Sequence, residues 1–241
     1  MITPNYMSSL DSSILSYLDR FARTSWVFDH AVVFLSENKL LKGGVLMVLV
    51  WWAWFRTENK GSTEREHLIA TILSCAVALL VGRILVLALP FRLRPLHEAS
   101  LNFVRPYGVA ENSLANLSSF PSDHAVLFFA LATGLFFISR ALGAFALFYT
   151  IMAIMLPRIY LGLHYPSDIL AGAAVGASIS WLGNTRLPQT RAIQCITSLS
   201  WSRPMYFYPM QFLATYQIAD LFDNSRAMVS GILKLVRYVA E

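Results

Sequence analysis

Apolar stretches alternate with short polar stretches along most of this chain. Five long apolar segments stand out: 40–55, 67–89, 124–139, 141–156 and 168–183. They are 16–23 residues long, close to the roughly 20 residues that a helix needs to cross a bilayer. Each alone would also suit the core helix of a soluble protein, but five joined by short polar loops favour an all-α, multi-pass helical membrane bundle.

Residues 10–35 show a different pattern, with apolar side chains at helical spacing and charged residues between them. This predicts an N-terminal amphipathic helix, either lying on the membrane surface or packed against the rest of the protein. The first 15 residues have neither the basic region nor the apolar core of a cleaved signal peptide. Internal segments must therefore insert the chain into the membrane.

The C-terminal part is less regular. Residues 205–222 form a possible sixth span, kinked at Pro209, and 226–239 resemble a basic amphipathic helix. We therefore expect five or six transmembrane helices in a single domain, 1–241. Its expected parts are an N-terminal amphipathic helix, a catalytic bundle and a C-terminal tail, at 1–38, 39–185 and 186–241.

Composition excludes several other classes of protein. Hydrophobic residues make up 56% and charged residues 14%, against about 45–50% and 25% in soluble domains, and the mean hydropathy is +0.53. The net charge of +5 comes from basic residues placed singly at the ends of apolar segments, which does not indicate a nucleic-acid partner. The two cysteines exclude a disulfide scaffold.

Polar residues at membrane depth are costly and so indicate function. Three polar clusters interrupt the apolar pattern. They are Arg83 with 90–98, 118–124, and Pro157-Arg158 with 164–168. The loop between the first two does not cross the membrane, and two helices separate the second from the third. All three clusters are therefore expected on the same side, at one end of the bundle.

The residue types in these clusters suit phosphoryl transfer. Arginines offer planar, permanently charged donors to phosphate oxygens, and the Ser122 hydroxyl lies at the positive end of a helix. Of His124 and His164, one can attack phosphorus and the other can protonate the leaving oxygen. Asp168, four residues after His164, can orient its ring. A metal site is the rival interpretation, but the arginines would repel a cation, so no metal or other cofactor is expected.

The clusters resemble the three signature motifs of the type-2 phosphatidic acid phosphatase superfamily. Its third motif, Ser-Arg-x5-His-x3-Asp, matches Arg158-x5-His164-x3-Asp168, with Pro157 in place of serine. The second, Pro-Ser-Gly-His, matches 121–124, with Asp123 in place of glycine. The first, Lys-x6-Arg-Pro, matches only at Arg94-Pro95, because Leu87 occupies the lysine position. We expect Arg83, or failing that Arg92, to take the role of this lysine.

The resemblance implies a role for each matching residue. His164 would be the nucleophile that forms a phosphohistidine, Asp168 would orient it, and His124 would be the general acid. The remaining candidates would bind the phosphate: Arg94, Arg158, Ser122, Asp123, Arg83 and Arg92. Asp123 is awkward beside a phosphate unless its carboxylate points away.

The Pro-Ser-Asp-His form of the second motif is similar to that of undecaprenyl diphosphate phosphatases of the bacitracin-resistance type. The favoured function is hydrolysis of a lipid phosphate drawn from the bilayer, with undecaprenyl diphosphate ahead of phosphatidate and phosphatidylglycerophosphate. Two alternatives stay open: a vanadate-dependent peroxidase of the same superfamily, and a membrane transporter or scaffold that binds phosphate without turnover. The sequence leaves the oligomeric state open.

Basic loop residues give a weak signal for orientation. Six lie away from the clusters: Arg56, Lys60, Arg65, Arg140, Arg186 and Arg191. Six lie on the cluster side: Lys39, Lys42, Arg92, Arg94, Arg105 and Arg158. Setting aside the two assigned to phosphate, Arg94 and Arg158, leaves four there. The positive-inside rule then predicts a multi-pass protein of the inner (plasma) membrane with an extracytoplasmic active site.

Overall fold

A computed structural model of the chain describes residues 8–56, 63–224 and 228. Within these ranges the fold is all-α, without β-strands, as predicted. The helices are α1 Ser9–Asp19, α2 Trp26–Glu37, α3 Val45–Arg56, α4 Thr63–Ala88, α5 Asp123–Phe136, α6 Arg140–Tyr149, α7 Leu156–Tyr160, α8 Pro166–Arg186, α9 Arg191–Ser202 and α10 Pro204–Ala219.

Two π-helical turns interrupt the regular helices. Leu40–Gly44 leads directly into α3, and Thr150–Met155 joins α6 to α7 so that one continuous helix runs from residue 140 to 160. The two π turns contact each other. Because π turns widen a helix locally and are common at functional sites, their contact marks this end of the bundle.

The core consists of α4, α5 and α8, which pack against one another, with α6 against α5. Helix α5 is central, and its Leu127, Phe128 and Leu131 are fully buried. Small residues on α8 allow a close approach to α5. A Cβ at Gly172 would lie 2.7 Å from the Ser122 carbonyl oxygen, and one at Gly176 would lie 2.0 Å from that of Val126.

This close approach brings the N-terminal ends of α5 and α8 together. The backbone N–H of Ser122, at the start of α5, donates to the carbonyl oxygen of Asp168 in the first turn of α8 at 3.2 Å. The second and third polar clusters therefore meet through main-chain contacts.

Two helices are long and apolar enough to cross a membrane, Thr63–Ala88 and Arg140–Tyr160, and α5 is a shorter apolar helix. They carry large apolar side chains on the outside of the fold: Val77, Leu80, Ile84, Leu87, Phe145 and Phe148. These two helices contain the predicted segments 67–89, apart from its last residue, and 141–156. The count of five or six spans stays a prediction.

The N-terminal region corrects the expectation of one amphipathic helix over residues 10–35. The chain forms two helices, α1 and α2, because it turns at Arg23, whose φ is 61° and whose N–H donates to Asp29 Oδ2 at 3.1 Å. Ser25 then caps α2. Both helices pack against the α7 end of the bundle, and the fully buried Asp11 and Asp29 face inward. Large apolar residues of the two helices are exposed: Leu10, Tyr17, Trp26, Val27, Phe28 and Phe34.

The tail after α8 folds back on the bundle. Helices α9 and α10 contact each other and α4, and α10 also contacts α3. The possible sixth span 205–222 corresponds largely to α10, which has 16 residues with Pro209 inside it. Of the predicted basic helix 226–239, only residue 228 is among the described residues.

Candidate active site

The structure brings the three polar clusters to one end of the bundle. The loop between α4 and α5 carries Arg92 and Arg94, α5 begins at Asp123, and His164 lies between α7 and α8. Two backbone hydrogen bonds hold the loop in place: Ser119 N–H donates to the Arg92 carbonyl oxygen at 2.9 Å, and Leu96 N–H donates to that of Gly162 at 3.0 Å. The grouping predicted from chain topology is present.

His164 is buried, and its two ring nitrogens have different partners. Nδ1 lies 2.9 Å from the Ser119 carbonyl oxygen, and Nε2 lies 3.3 Å from Arg94 Nη1. A carbonyl only accepts and a guanidinium only donates, so these partners assign the proton to Nδ1, and the lone pair on Nε2 accepts from Arg94. Burial, followed by the charges of Arg94 and Arg158, lowers the pKa of His164 to about 4, against the opposing effect of Asp168. The ring is therefore neutral at ordinary pH.

Asp168 lies farther from His164 than its predicted role requires. Its Oδ2 is 3.7 Å from Nδ1, beyond hydrogen-bond distance, and accepts instead from the Tyr165 N–H at 2.8 Å. Its Oδ1 accepts from Arg92 Nη1 at 2.6 Å. The direct partner of His164 is thus the Ser119 carbonyl. Sequence reasoning missed it, and no signal marks it, because every residue carries such an oxygen.

Arg94 holds two loops together beside His164. Its guanidinium donates to the carbonyl oxygens of Leu117 and Ser118 at 3.3 Å each, and also to that of Leu163. Burial lowers the pKa of Arg94 to about 10, which leaves it charged at neutral pH. Among the described residues no carboxylate lies within 4.0 Å of it. Arg94 therefore brings positive charge to His164 that carbonyl dipoles solvate but no anion neutralises.

His124 and Arg158 form the other half of the site. Arg158 Nη2 lies 2.5 Å from His124 Nε2 and donates a hydrogen bond to it. Within the described part of the chain, Arg158 Nε and the Ser122 hydroxyl oxygen are buried without a hydrogen-bond partner. Unsatisfied buried donors are costly, and phosphate oxygens would satisfy both groups.

Arg83 and Asp123 form an ion pair, with Nη2 and Oδ2 2.5 Å apart. These are two positions where the chain departs from the motifs: the arginine expected to replace the lysine, and the aspartate that replaces glycine. Asp123 thus has a cationic partner beside a site for anions. Contact between Arg83 and phosphate stays a prediction.

Arg92, the second candidate for the lysine role, faces away from the histidines toward two carboxylates. It contacts Asp168 and also Asp11 Oδ2 at 3.1 Å, and its guanidinium lies 4.0 Å from the centre of the Tyr165 ring. Asp11 accepts from the Ser167 N–H at 2.8 Å and its hydroxyl at 2.7 Å. Burial acts to raise the pKa of Asp11, but these hydrogen bonds and Arg92 together lower it.

Sequence reasoning missed the contacts of Asp11 with Arg92 and Ser167, because its position in an amphipathic pattern indicated a solvated face.

No group of three or more His, Cys, Asp or Glu side chains able to hold a metal ion occurs in the described ranges.

Comparison with known proteins finds similar bacterial proteins, two of which are named as phosphatases. The chain is 28% identical over 169 residues to the bacitracin transport permease protein BcrC of Bacillus licheniformis, covering 70% of this chain and 76% of that protein. It is 24% identical to the undecaprenyl-diphosphatase BcrC of Bacillus subtilis, covering 65% and 73%. The lipid A 4'-phosphatase of Bacteroides thetaiotaomicron is 42% identical over 71 residues, 26% of this chain and 28% of that protein. No solved structure matches the chain.

A sequence model of the PAP2 superfamily matches residues 67–191, slightly more than half of the chain. The matched range begins in α4, ends at the start of α9 and contains all nine predicted site residues. The superfamily predicted from the three motifs is thereby confirmed. The chain is a phosphatase that belongs to the PAP2 superfamily.

Proposed function

We propose that this lipid phosphatase hydrolyses undecaprenyl diphosphate to undecaprenyl phosphate and inorganic phosphate through a phosphohistidine on His164. The observation that carries the proposal is the Nε2 lone pair of His164, which faces Arg94 at the end of the bundle where, among the described residues, Arg158 Nε and the Ser122 hydroxyl are buried without a hydrogen-bond partner. The B. subtilis relative, named an undecaprenyl-diphosphatase, supports the choice of lipid.

In the first step, His164 Nε2 attacks the terminal phosphorus, forming an N–P bond as the bond to the bridging oxygen breaks. The proton stays on Nδ1, and its hydrogen bond to the Ser119 carbonyl oxygen stabilises the charge that develops on the ring. Arg94, Arg158 and Ser122 donate to the three equatorial oxygens. His124 protonates the leaving oxygen, because the anionic substrate draws Arg158 away from its Nε2 and favours its protonation.

In the second step, water attacks the phosphohistidine. His124, now neutral, takes a proton from this water, the N–P bond breaks, and inorganic phosphate leaves with the original state of both histidines restored. The first step needs His124 protonated and the second needs it neutral. Its contact with the charged guanidinium of Arg158 suits that alternation.

We further propose a multi-pass inner-membrane protein whose site opens on the extracytoplasmic face. The excess of basic loop residues away from the site supports this orientation. The lipid tail would enter sideways from the bilayer, which accounts for a phosphate site at the end of a bundle with an apolar exterior.

The test uses the full chain purified in detergent with undecaprenyl diphosphate, phosphatidate and phosphatidylglycerophosphate. Phosphate release should be fastest with undecaprenyl diphosphate, and His164→Asn should lower kcat at least 1000-fold, about 4 kcal/mol of transition-state stabilisation. Terminally labelled substrate should leave acid-labile label on the wild-type protein only. As matched control, His30→Asn, on α2, should retain activity.

Three outcomes would overturn the proposal. Full activity of His164→Asn would exclude the phosphohistidine. Phosphate binding without release from any of the lipids would favour the transporter or scaffold. Vanadate-dependent halide oxidation without phosphatase activity would favour the peroxidase.

A further inference from the structure

Lys42 is a buried cation in the π turn Leu40–Gly44 that no motif includes. Its side chain is only 9% exposed. Within the described residues its ammonium has no hydrogen-bond or ion-pair partner within 4.0 Å. Because no carboxylate in the described ranges neutralises this cation on its largely buried side chain, we expect it to attract a ligand that supplies negative charge.

Neighbouring elements fix the position of this turn. The Tyr149 hydroxyl donates to the Leu41 carbonyl oxygen, and a Cβ at Gly43 would lie 2.4 Å from the Ala219 carbonyl oxygen. The turn also contacts the π turn Thr150–Met155, which leads into the helix that carries Arg158. Lys42 is thereby held on the Arg158 side of the site.

The charges around Lys42 confirm that it lacks a partner of its own. Arg158 and Lys39 repel it, and Glu37 and Asp220 attract it from beyond 4.0 Å. Asp220 is already bonded to Lys39. Lys42 also acts electrostatically on His124. The charge of Lys42 therefore acts on the His124 half of the site.

The in-line geometry of the proposed reaction places the leaving group in the His124 half of the site. His164 attacks from one side of the reacting phosphorus, and His124 protonates the leaving oxygen on the opposite side. A cation beside His124 and Arg158 faces the leaving group. In a diphosphate, the leaving group is itself a phosphate.

We propose that Lys42 binds the lipid-linked phosphate of a diphosphate substrate and so makes the enzyme selective for diphosphates over monophosphates. The inference rests on the proposed function and deepens it. It also differs from the role predicted for Arg83, because a motif lysine binds the phosphate that is transferred, whereas Lys42 binds the one that leaves.

The test compares farnesyl diphosphate with farnesyl phosphate as short substrates of the full chain in detergent. Lys42→Met should lower kcat/KM at least tenfold for the diphosphate and less than twofold for the monophosphate. Lys42→Arg should stay within threefold of wild type on both. Lys39→Met, a neighbouring lysine that is half exposed and paired with Asp220, is the matched control and should change neither substrate more than twofold.

A binding measurement separates failure of this inference from failure of the proposed function. By calorimetry, Lys42→Met should bind methylenediphosphonate at least tenfold more weakly than wild type and orthovanadate within twofold. This result would support the role of Lys42 even if the chain hydrolysed no polyprenyl substrate. Equal losses with both substrates or both ligands, or no loss with the diphosphates, would overturn it.

Discussion

Two pairs of arginines lie within the three polar clusters but in opposite electrostatic situations. Arg83 and Arg92 each contact a carboxylate, at 2.5 and 2.6 Å for the closest pairs. Arg94 and Arg158 contact carbonyls and histidine nitrogens, and among residues 8–56 and 63–224 neither has a carboxylate within 4.0 Å. We call the first the paired arginines and the second the open arginines. Only an open arginine keeps its full charge for a substrate anion.

The difference teaches that the number of basic residues in a motif does not give the charge available to a ligand. Arg92 and Arg94 are two residues apart, and their side chains leave the backbone toward opposite surroundings. Arg92 reaches Asp11 and Asp168, while Arg94 reaches His164. We expect the paired arginines to position the site and the open arginines to bind the substrate.

Among the variants that test this comparison, the largest expected loss of activity comes from an open arginine. Arg158→Gln removes a charge next to His124 and two donors for the phosphate, so kcat/KM should fall at least 100-fold, about 3 kcal/mol of transition-state stabilisation. Orthovanadate should inhibit this variant correspondingly more weakly. The melting temperature should hold or rise, because a buried, uncompensated charge has been removed. A lower melting temperature with unchanged vanadate inhibition would place Arg158 in the architecture and remove the distinction.

A variant that disturbs a paired arginine should lower the stability more than the activity. Asp11→Asn leaves Arg92 with one carboxylate and weakens two hydrogen bonds from Ser167, so the free energy of unfolding should fall by about 1–3 kcal/mol. The activity should fall less than tenfold, through kcat rather than KM, because Asp11 touches Asp168 only through Arg92. Thermal unfolding and steady-state kinetics measure both. Asp19→Asn in the same helix is the control, since within the described ranges its side chain accepts a single hydrogen bond, from the Val104 N–H at 3.4 Å. A KM effect for Asp11→Asn would contradict its assignment to positioning.

The smallest expected effect sharpens the comparison at Arg83. Arg83→Ala exposes the substrate phosphate to an unneutralised Asp123 and should lower kcat/KM about three- to tenfold. If Arg83 acts by neutralisation, Asp123→Asn in the same chain restores the activity to within twofold of wild type. If it binds phosphate itself, the double variant stays as slow as Arg83→Ala, and Arg83 joins the open set.

The fold was predictable where the signal is periodic. Apolar periodicity gave an all-helical chain, and counting crossings gave the meeting of His124 with His164. These features depend on the spacing of apolar residues and on the direction of the chain, both of which can be read directly from the sequence.

The pairing of charges was not predictable in the same way. The sequence shows Asp11 and Arg92 about 80 positions apart, and nothing in their spacing indicates that a helix packed with its polar side inward joins them. Two further features depend on long-range packing: the turn at Arg23 that divides the N-terminal helix, and the Ser119 carbonyl that replaces Asp168 beside His164. Periodicity reports which side chains share a face, but the partner of that face is set by tertiary structure.

The contact between α5 and α8 explains why this chain tolerates its departures from the motifs. The distance between the two halves of the site is set by main-chain atoms: Gly172 and Gly176 against the carbonyls of Ser122 and Val126, and the Ser122 N–H on Asp168. Side chains at Leu87, Asp123 and Pro157 take no part in that spacing. Substrate preference can therefore drift by exchange of side chains around a frame of fixed width.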